Sequence, residues 1–145
     1  MSSDAWLLLS ILYSEGETEA GASLSSIIAT ADYINHAILT YKELRDGLAR
    51  LQIRGCIKEH DERYRATRSM RTIFARFTRP GRPVWKDLAD VERYLNSRGF
   101  DVVVVSTRLI QPIERTAYEN AVEAYLQRMQ PPPQKTRHKR KTNHN

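Results

Sequence analysis

Residues 32–55 read DYINHAILTYKELRDGLARLQIRG and contain the clearest helix-start signal of the chain. Thr40, followed three residues later by Glu43, fits a capping box, in which each side chain accepts a hydrogen bond from the other residue's backbone amide. The pattern predicts a helix from Tyr41 to about Arg54, ended by Gly55, because glycine readily adopts the left-handed backbone that stops a helix. One face of this helix is apolar and comprises Leu44, Leu48 and Leu51.

The opposite face of the same helix is polar and carries Lys42, Arg45, Asp46 and Ala49. Gly47 lies near the apolar side, where a missing side chain lets a second helix approach closely. Before the helix, His36 is interpreted as a structural residue of a bend, because no metal-ligating residue stands at ligand spacing from it. We expect Ala37, Ile38 and Leu39 to point inward.

Local signals on either side extend this element order. Asp4 is the predicted N-cap of a buried helix at 5–14, a loop follows at 15–22, and Ser23 caps a second helix that runs to about Tyr33. After Gly55, residues 56–59 and 64–67 flank a polar turn at 60–63, which is typical of a β-hairpin. A further helix is predicted at 69–79, and the prolines at 80 and 83 break it.

The C-terminal third has its own pattern. Apolar residues recur at helical spacing over 84–98, and Gly99 ends the run. Four consecutive valines predict a strand at 101–107. A last helix is predicted at about 113–129, with Pro112 at its first turn. Residues 131–145 follow a triple proline and contain no apolar residue to bury, so we predict disorder there.

Charge is strongly segregated along the 145 residues, whose formal net charge is +6. Residues 1–41 carry five acids and no Lys or Arg, whereas residues 42–82 carry twelve Lys or Arg against five acids. Residues 83–130 are close to neutral, and residues 131–145 carry five basic residues and no acid. The middle segment and the tail therefore favour a polyanionic partner.

The composition disfavours several classes of protein. Cys56 is the single cysteine and lies in an apolar segment, which favours a buried thiol over a nucleophile. No window has the roughly 18 apolar residues of a membrane helix, and the start of the chain lacks the basic region of a signal peptide, so we expect no membrane partner and a cytoplasmic location. Metal-binding, phosphate-loop and nucleophile motifs do not occur, so we expect no enzyme activity and no cofactor.

The stretch DYINHAILTYKELRDGLARLQIRGCIKEHDERYRAT, residues 32–67, resembles the second helix, turn, recognition helix and wing of bacterial winged helix-turn-helix regulators of the MarR and PadR kind. Its segments DYINHAI, T-x-x-E-L and G-L-x-R-L-x-x-x-G are also similar to a group of uncharacterised bacterial winged-helix proteins. The resemblance implies a mainly α fold with a small β-hairpin wing over residues 4–79. A linker at 80–83, a helix-strand-helix extension at 84–130 and the basic tail at 131–145 complete the predicted organisation.

The function implied by this resemblance is DNA binding in transcription regulation. A recognition helix in the major groove needs cationic and hydrogen-bonding side chains near its N-terminal end. We expect contacts to double-stranded DNA from the helix at about 41–54 and from a basic wing at about 57–67. The candidate residues are Thr40, Tyr41, Lys42, Arg45, Asp46, Arg50, Lys58, Arg63, Arg65 and Arg68. Arg45 is the candidate for a guanine contact, and the wing cations are candidates for phosphate contacts.

Two other functions stay open on the same residues. One is a non-enzymatic adaptor that binds an acidic protein through the basic face, and the other is an RNA-binding module. A homodimer through residues 84–130 is a further hypothesis, because one small domain does not fully cover the apolar face of the predicted helix at 84–98 and the valine block. That face comprises Trp85, Leu88, Val91 and Leu95.

Overall fold

The computed structural model describes residues 2–17, 20–97 and 110–130. Within these ranges the elements are α1 (Ser3–Ser14), a 3-10 turn (Glu15–Glu17), α2 (Leu24–Asn35), α3 (Tyr41–Ile53), β1 (Ile57–His60), β2 (Arg63–Ala66), α4 (Arg68–Phe77), α5 (Val84–Ser97) and α6 (Arg115–Met129). The predicted fold class, mainly α with a small hairpin after the third helix, is confirmed.

Helix α1 forms the centre of the core, and α2, α3, α5 and β2 pack around it. All residues from 5 to 12 are buried, which explains why this helix is apolar on every side. Trp6 links it to α2 by donating its indole N–H to the carbonyl of Ala31 at 2.8 Å. The prediction of Asp4 as N-cap is wrong. Ser2 caps the helix and accepts a hydrogen bond from the amide of Ala5 at 3.2 Å.

Helix α3 begins with the predicted capping box. The Thr40 hydroxyl accepts from the Glu43 amide at 3.2 Å, and the Glu43 carboxylate accepts from the Thr40 amide at 2.8 Å. Gly55, with φ of 71°, turns the chain after the helix. A Cβ at Gly47 would lie 2.7 Å from Cδ2 of Leu7 in α1. The close helix approach predicted at this glycine is therefore confirmed.

The bend between α2 and α3 is built on His36. Its backbone is left-handed, with φ of 53°, and its amide donates to the carbonyl of Asp32 at 2.7 Å. His36 therefore lies in the bend, as predicted. The inward orientation holds only for Leu39, which is fully buried, whereas Ile38 is half-buried and Ala37 is exposed. The left-handed backbone of His36 redirects the chain. The two residues after it are therefore exposed or half-buried, before Thr40 caps the next helix.

The hairpin is tighter than predicted. Strands β1 and β2 pair from Ile57 with Ala66 to His60 with Arg63, so the turn holds two residues instead of four. Both turn residues, Asp61 and Glu62, have positive φ, which matches the twist of a two-residue hairpin turn. The region at 15–22 is not a simple loop, because it contains the 3-10 turn and an antiparallel bridge between Ala22 and Tyr64.

Helices α5 and α6 share the core of the N-terminal region. In α5, Val91 is fully buried and Leu95 is 5% exposed, and the helix packs on α1. Helix α6 packs on α2 and begins at Arg115, two residues later than predicted. The apolar face proposed for dimerisation is therefore largely used within the chain, and only Trp85, at 67% exposed, projects clearly into solvent. This burial removes the part of the dimer hypothesis that rests on α5, whereas the valine block lies outside the described residues.

The break between α4 and α5 lies at the two predicted prolines and is held by an ion pair. Arg82 donates to the buried carboxylate of Asp87 at 2.7 Å and also contacts Asp90. The same Asp87 carboxylate accepts from the hydroxyls of Tyr13, at 2.5 Å, and Thr78, at 3.1 Å. The turn is thus tied to helix α1.

Some predictions fall outside the described residues. These are the helix stop at Gly99, the valine strand at 101–107 and the disorder of residues 131–145. Where the chain is described, none of its helices combines the length and apolarity that crossing a membrane requires.

Candidate nucleic-acid interface

The two faces of the hairpin differ in character. Because paired residues of a β-ladder project to the same side, Ile57, Tyr64 and Ala66 share one face, and all three are buried. The other face carries two cross-strand pairs, Lys58 with Arg65 and His60 with Arg63. Lys58 and Arg65 carry like charges directly opposite each other, an arrangement that does not favour hairpin pairing.

A groove of about 410 Å³ lies between this cationic face and the N-terminal turn of α4. We call it the basic groove; its lining residues are Ala20, Lys58, Glu59, His60, Arg63, Arg65, Ala66, Thr67, Arg68 and Arg71. Five of the ten are Lys or Arg, against a single carboxylate residue. Helix α4 starts here because Thr67 caps it, accepting from the Met70 amide at 3.3 Å. That cap aims Arg68 and Arg71, one helical turn apart, at the groove.

Most cations of the groove form no ion pair with a described carboxylate. Among the described residues, no carboxylate lies within ion-pair distance of Lys58, Arg63, Arg68 or Arg71. Arg63 instead donates to the carbonyl of Gly21 at 3.0 Å, which fixes its position. Elsewhere in the described chain, ion pairs engage Arg45, Arg50, Arg82 and Arg93. The groove therefore concentrates positive charge that can attract an anion.

A buried carboxylate supports the inner side of the groove. Glu15 is 9% exposed and accepts a hydrogen bond from the Ala66 amide at 2.5 Å. Burial raises the pKa of Glu15, while the Ala66 amide and the nearby charges of Arg71 and Arg65 act in the opposite direction. This glutamate anchors the end of β2.

The predicted base-reading residues of α3 are distributed differently. Lys42 is exposed, and no described carboxylate pairs with it. Arg45 donates its Nε–H to Asp46 at 2.8 Å, and this hydrogen bond lowers the pKa of Asp46. Arg50 forms a two-bond pair with Asp4 of α1, both distances being 2.8 Å. Of these three cations of α3, only Lys42 forms no ion pair with a described carboxylate.

The N-terminal end of α3 contacts the segment that leads into α6. The Tyr41 hydroxyl donates to the carbonyl of Ile113 at 2.8 Å, and the Tyr118 hydroxyl donates to the carbonyl of Leu39 at 2.7 Å. The Arg115 guanidinium lies 4.7 Å from the centre of the Tyr41 ring. Tyr41 therefore packs within the protein.

The structure thus brings the candidate residues of the wing together, whereas the candidate residues of α3 have separate partners. Lys58, Arg63, Arg65 and Arg68 all line one groove. Thr40 serves the capping box, and Arg45 and Arg50 lie in different ion pairs. Sequence reasoning missed Arg71 and His60 of the groove, and Arg115. The spacing of Arg71 three residues after Arg68 was a usable signal, but nothing local pointed to Arg115.

Groups suited to other chemistry are scarce in the part of the chain that the structure describes. There, no three or more His, Cys, Asp and Glu residues come together as a metal site. The Cys56 side chain is 6% exposed, in agreement with the buried thiol predicted for it.

No protein-family model, curated protein or solved structure matches the chain. The winged-helix assignment therefore rests on the sequence resemblance and on the order of the elements, and it stays a prediction. In that order, three helices precede a hairpin whose second strand also bridges to Ala22, between α1 and α2.

Proposed function

We propose that the protein binds double-stranded DNA, as a small cytoplasmic regulator of winged-helix type, and that the basic groove holds the DNA backbone. The observation that carries the proposal is the accumulation, in one groove, of cations with no described carboxylate at ion-pair distance. Four such residues, Lys58, Arg63, Arg68 and Arg71, line it, and Lys58 stands opposite Arg65 in the ladder. A row of phosphates neutralises such a surface and releases counterions on binding.

In this proposal the basic groove supplies the affinity for DNA, and α3 supplies the preference among DNA sequences. Long cations on a hairpin reach phosphates without reading bases. Lys42 is available at the N-terminal end of α3, whereas Arg45 reaches a base edge only by exchanging its hydrogen bond to Asp46. The groove therefore accounts for binding to any duplex, and Arg45 for any preference among sequences.

The test is a salt titration of binding to a short mixed-sequence DNA duplex, comparing the wild type with the double variant Arg68→Ala/Arg71→Ala. We expect the plot of log K against log salt to become less steep by about 0.9 for each phosphate contact removed. The matched control is Arg76→Ala/Arg79→Ala. It removes the same charge from two exposed positions near the C-terminal end of α4. The control leaves the groove intact, so its slope should stay close to the wild-type slope.

Two outcomes would contradict the proposal. One is the absence of duplex binding by the wild type at low salt. The other is an equal change of slope in both double variants, which would mean that total charge, not the groove, determines binding. Parallel titrations with duplex RNA and with an acidic polypeptide identify the partner class: tighter binding to either would replace DNA as the ligand of the groove.

A further inference from the structure

Two guanidinium groups lie on one tyrosine ring at the N-terminal end of α3. The Cζ atom of Arg45 is 5.2 Å from the centre of the Tyr41 ring, and that of Arg115 is 4.7 Å from it. The Tyr118 ring lies 5.7 Å from the Tyr41 ring, centre to centre. We call Tyr41, Arg45, Arg115 and Tyr118 the Tyr41 cluster.

Hydrogen bonds fix the cluster between distant parts of the chain. Tyr41 holds the segment before α6 through the carbonyl of Ile113, and Tyr118 holds the segment before α3 through the carbonyl of Leu39. These two bonds cross in opposite directions, so α6 cannot slide along α3 without breaking one of them. Arg115, the first residue of α6, is thereby placed against the Tyr41 ring.

The cluster keeps donors available to a ligand. Arg115 is exposed, and among the described residues it has no carboxylate or hydrogen-bond partner. Arg45 uses its Nε–H for Asp46, and its side chain is 38% exposed. A tyrosine face attracts each cation, but the two cations repel each other. A bound anion relieves this repulsion, and planar guanidinium groups are well suited to phosphate.

We propose that Arg115 is a DNA-contacting residue that binds backbone phosphate at the N-terminal end of α3. This inference rests on the proposed DNA binding and adds a second point of contact to the basic groove. Helix α3 has 13 residues and is therefore about 20 Å long, with the cluster at its start and the hairpin after its end. The Tyr41 cluster and the hairpin therefore lie near opposite ends of α3.

The same contacts admit the opposite role, in which the segment before α6 covers α3 and hinders binding. The two roles differ in the sign of one measurement. If Arg115 contacts phosphate, Arg115→Ala weakens duplex binding by about tenfold at low salt, the loss of a charge-assisted hydrogen bond, and makes the salt slope less steep by about 0.9. If the segment covers α3, Arg115→Ala leaves binding unchanged or tightens it.

The control is Arg128→Ala, which removes the same charge from an exposed position in the last turn of α6. It should change the dissociation constant by less than about twofold. A second variant, Tyr118→Phe, keeps the ring and removes the bond to Leu39. It should weaken binding less than Arg115→Ala, because Arg115 then loses positioning but not charge.

Unchanged or tighter binding by Arg115→Ala, or an equal loss in Arg128→Ala, overturns the role of Arg115. DNA binding through the basic groove survives that result if Arg68→Ala/Arg71→Ala still weakens it. Failure of the wild type to bind any duplex overturns both proposals together.

Discussion

Replacing Tyr13 by phenylalanine removes one hydroxyl from a buried network and leaves the ring in place. The hydroxyl donates to the Asp87 carboxylate at 2.5 Å, and Asp87 is 2% exposed. The ring itself packs 6.1 Å, centre to centre, from that of Phe74, and this contact is retained in the variant. The substitution therefore isolates the bond that ties helix α1 to the turn before α5.

The expected loss of stability depends on the hydrogen bonds that Asp87 retains in the variant. A hydrogen bond to a charged group contributes about 1.5–3 kcal/mol. Asp87 retains donors from Thr78 and Arg82, and Tyr13 is only half-buried, so the value should lie at the lower end, at about 1.5 kcal/mol. With a urea m value of about 1.5–2 kcal/mol/M, the unfolding midpoint falls by a little under about 1 M.

The same hydroxyl makes the effect depend on pH. Burial and the bond to Asp87 raise the pKa of Tyr13 above its ordinary value of 10.0. The folded state thus keeps the proton where the unfolded chain begins to lose it. The contribution of the hydroxyl is complete below pH 10 and is lost as the pH rises above it, so the stability difference between wild type and Tyr13→Phe should shrink in that window.

Urea unfolding followed by far-ultraviolet circular dichroism, at neutral pH and at several values above pH 10, measures both effects. Tyr33→Phe is the matched control, because Tyr33 is 70% exposed and should change stability by less than about 0.5 kcal/mol. Equal effects of the two substitutions at neutral pH, or a difference that does not change above pH 10, would refute the role assigned to the Tyr13 hydroxyl.

Other substitutions test separate parts of the structure. Thr40→Ala removes half of the capping box and should lower the free energy of unfolding by about 1 kcal/mol in urea titration; no change would mean that the cap does not stabilise α3. Gly21→Ala should destabilise the protein by about 1–3 kcal/mol, because φ is +93° and the new Cβ would lie 2.9 Å from the Tyr64 carbonyl oxygen. Gly16→Ala, with open space around it, should be nearly neutral, and thermal unfolding of both glycine variants measures the difference. Arg45→Ala should weaken binding of the preferred duplex about tenfold and flatten sequence preference in a competition assay; an equal loss on all sequences would exclude base reading.

Features set by neighbouring residues were predictable from the sequence. The capping box, the glycine stop and the hairpin each depend on a few adjacent residues, so their positions were correct to within about two residues. The accumulation of cations on one face of the hairpin was also predictable from the sequence, because alternation along a strand places Lys58 and His60 on the same side.

Features set by distant residues were not predictable. Asp4 is of a residue type that often caps helices, but its carboxylate accepts hydrogen bonds from Arg50, 46 residues away. The periodicity of α5 indicated a buried face without indicating its partner, and Val91 and Leu95 proved to lie in the core of their own chain. Arg115 reaches Tyr41 only because the chain returns, a contact that no local pattern encodes.

Titration of the isotopically labelled protein with a short DNA duplex, followed by amide chemical shifts in NMR, locates the binding surface directly. We expect the largest shifts within residues 58–71, with further shifts at Lys42 and Arg115 and little change along α5. Shifts concentrated on α5, with residues 58–71 unaffected at saturating duplex, would show that the basic groove is not where DNA binds.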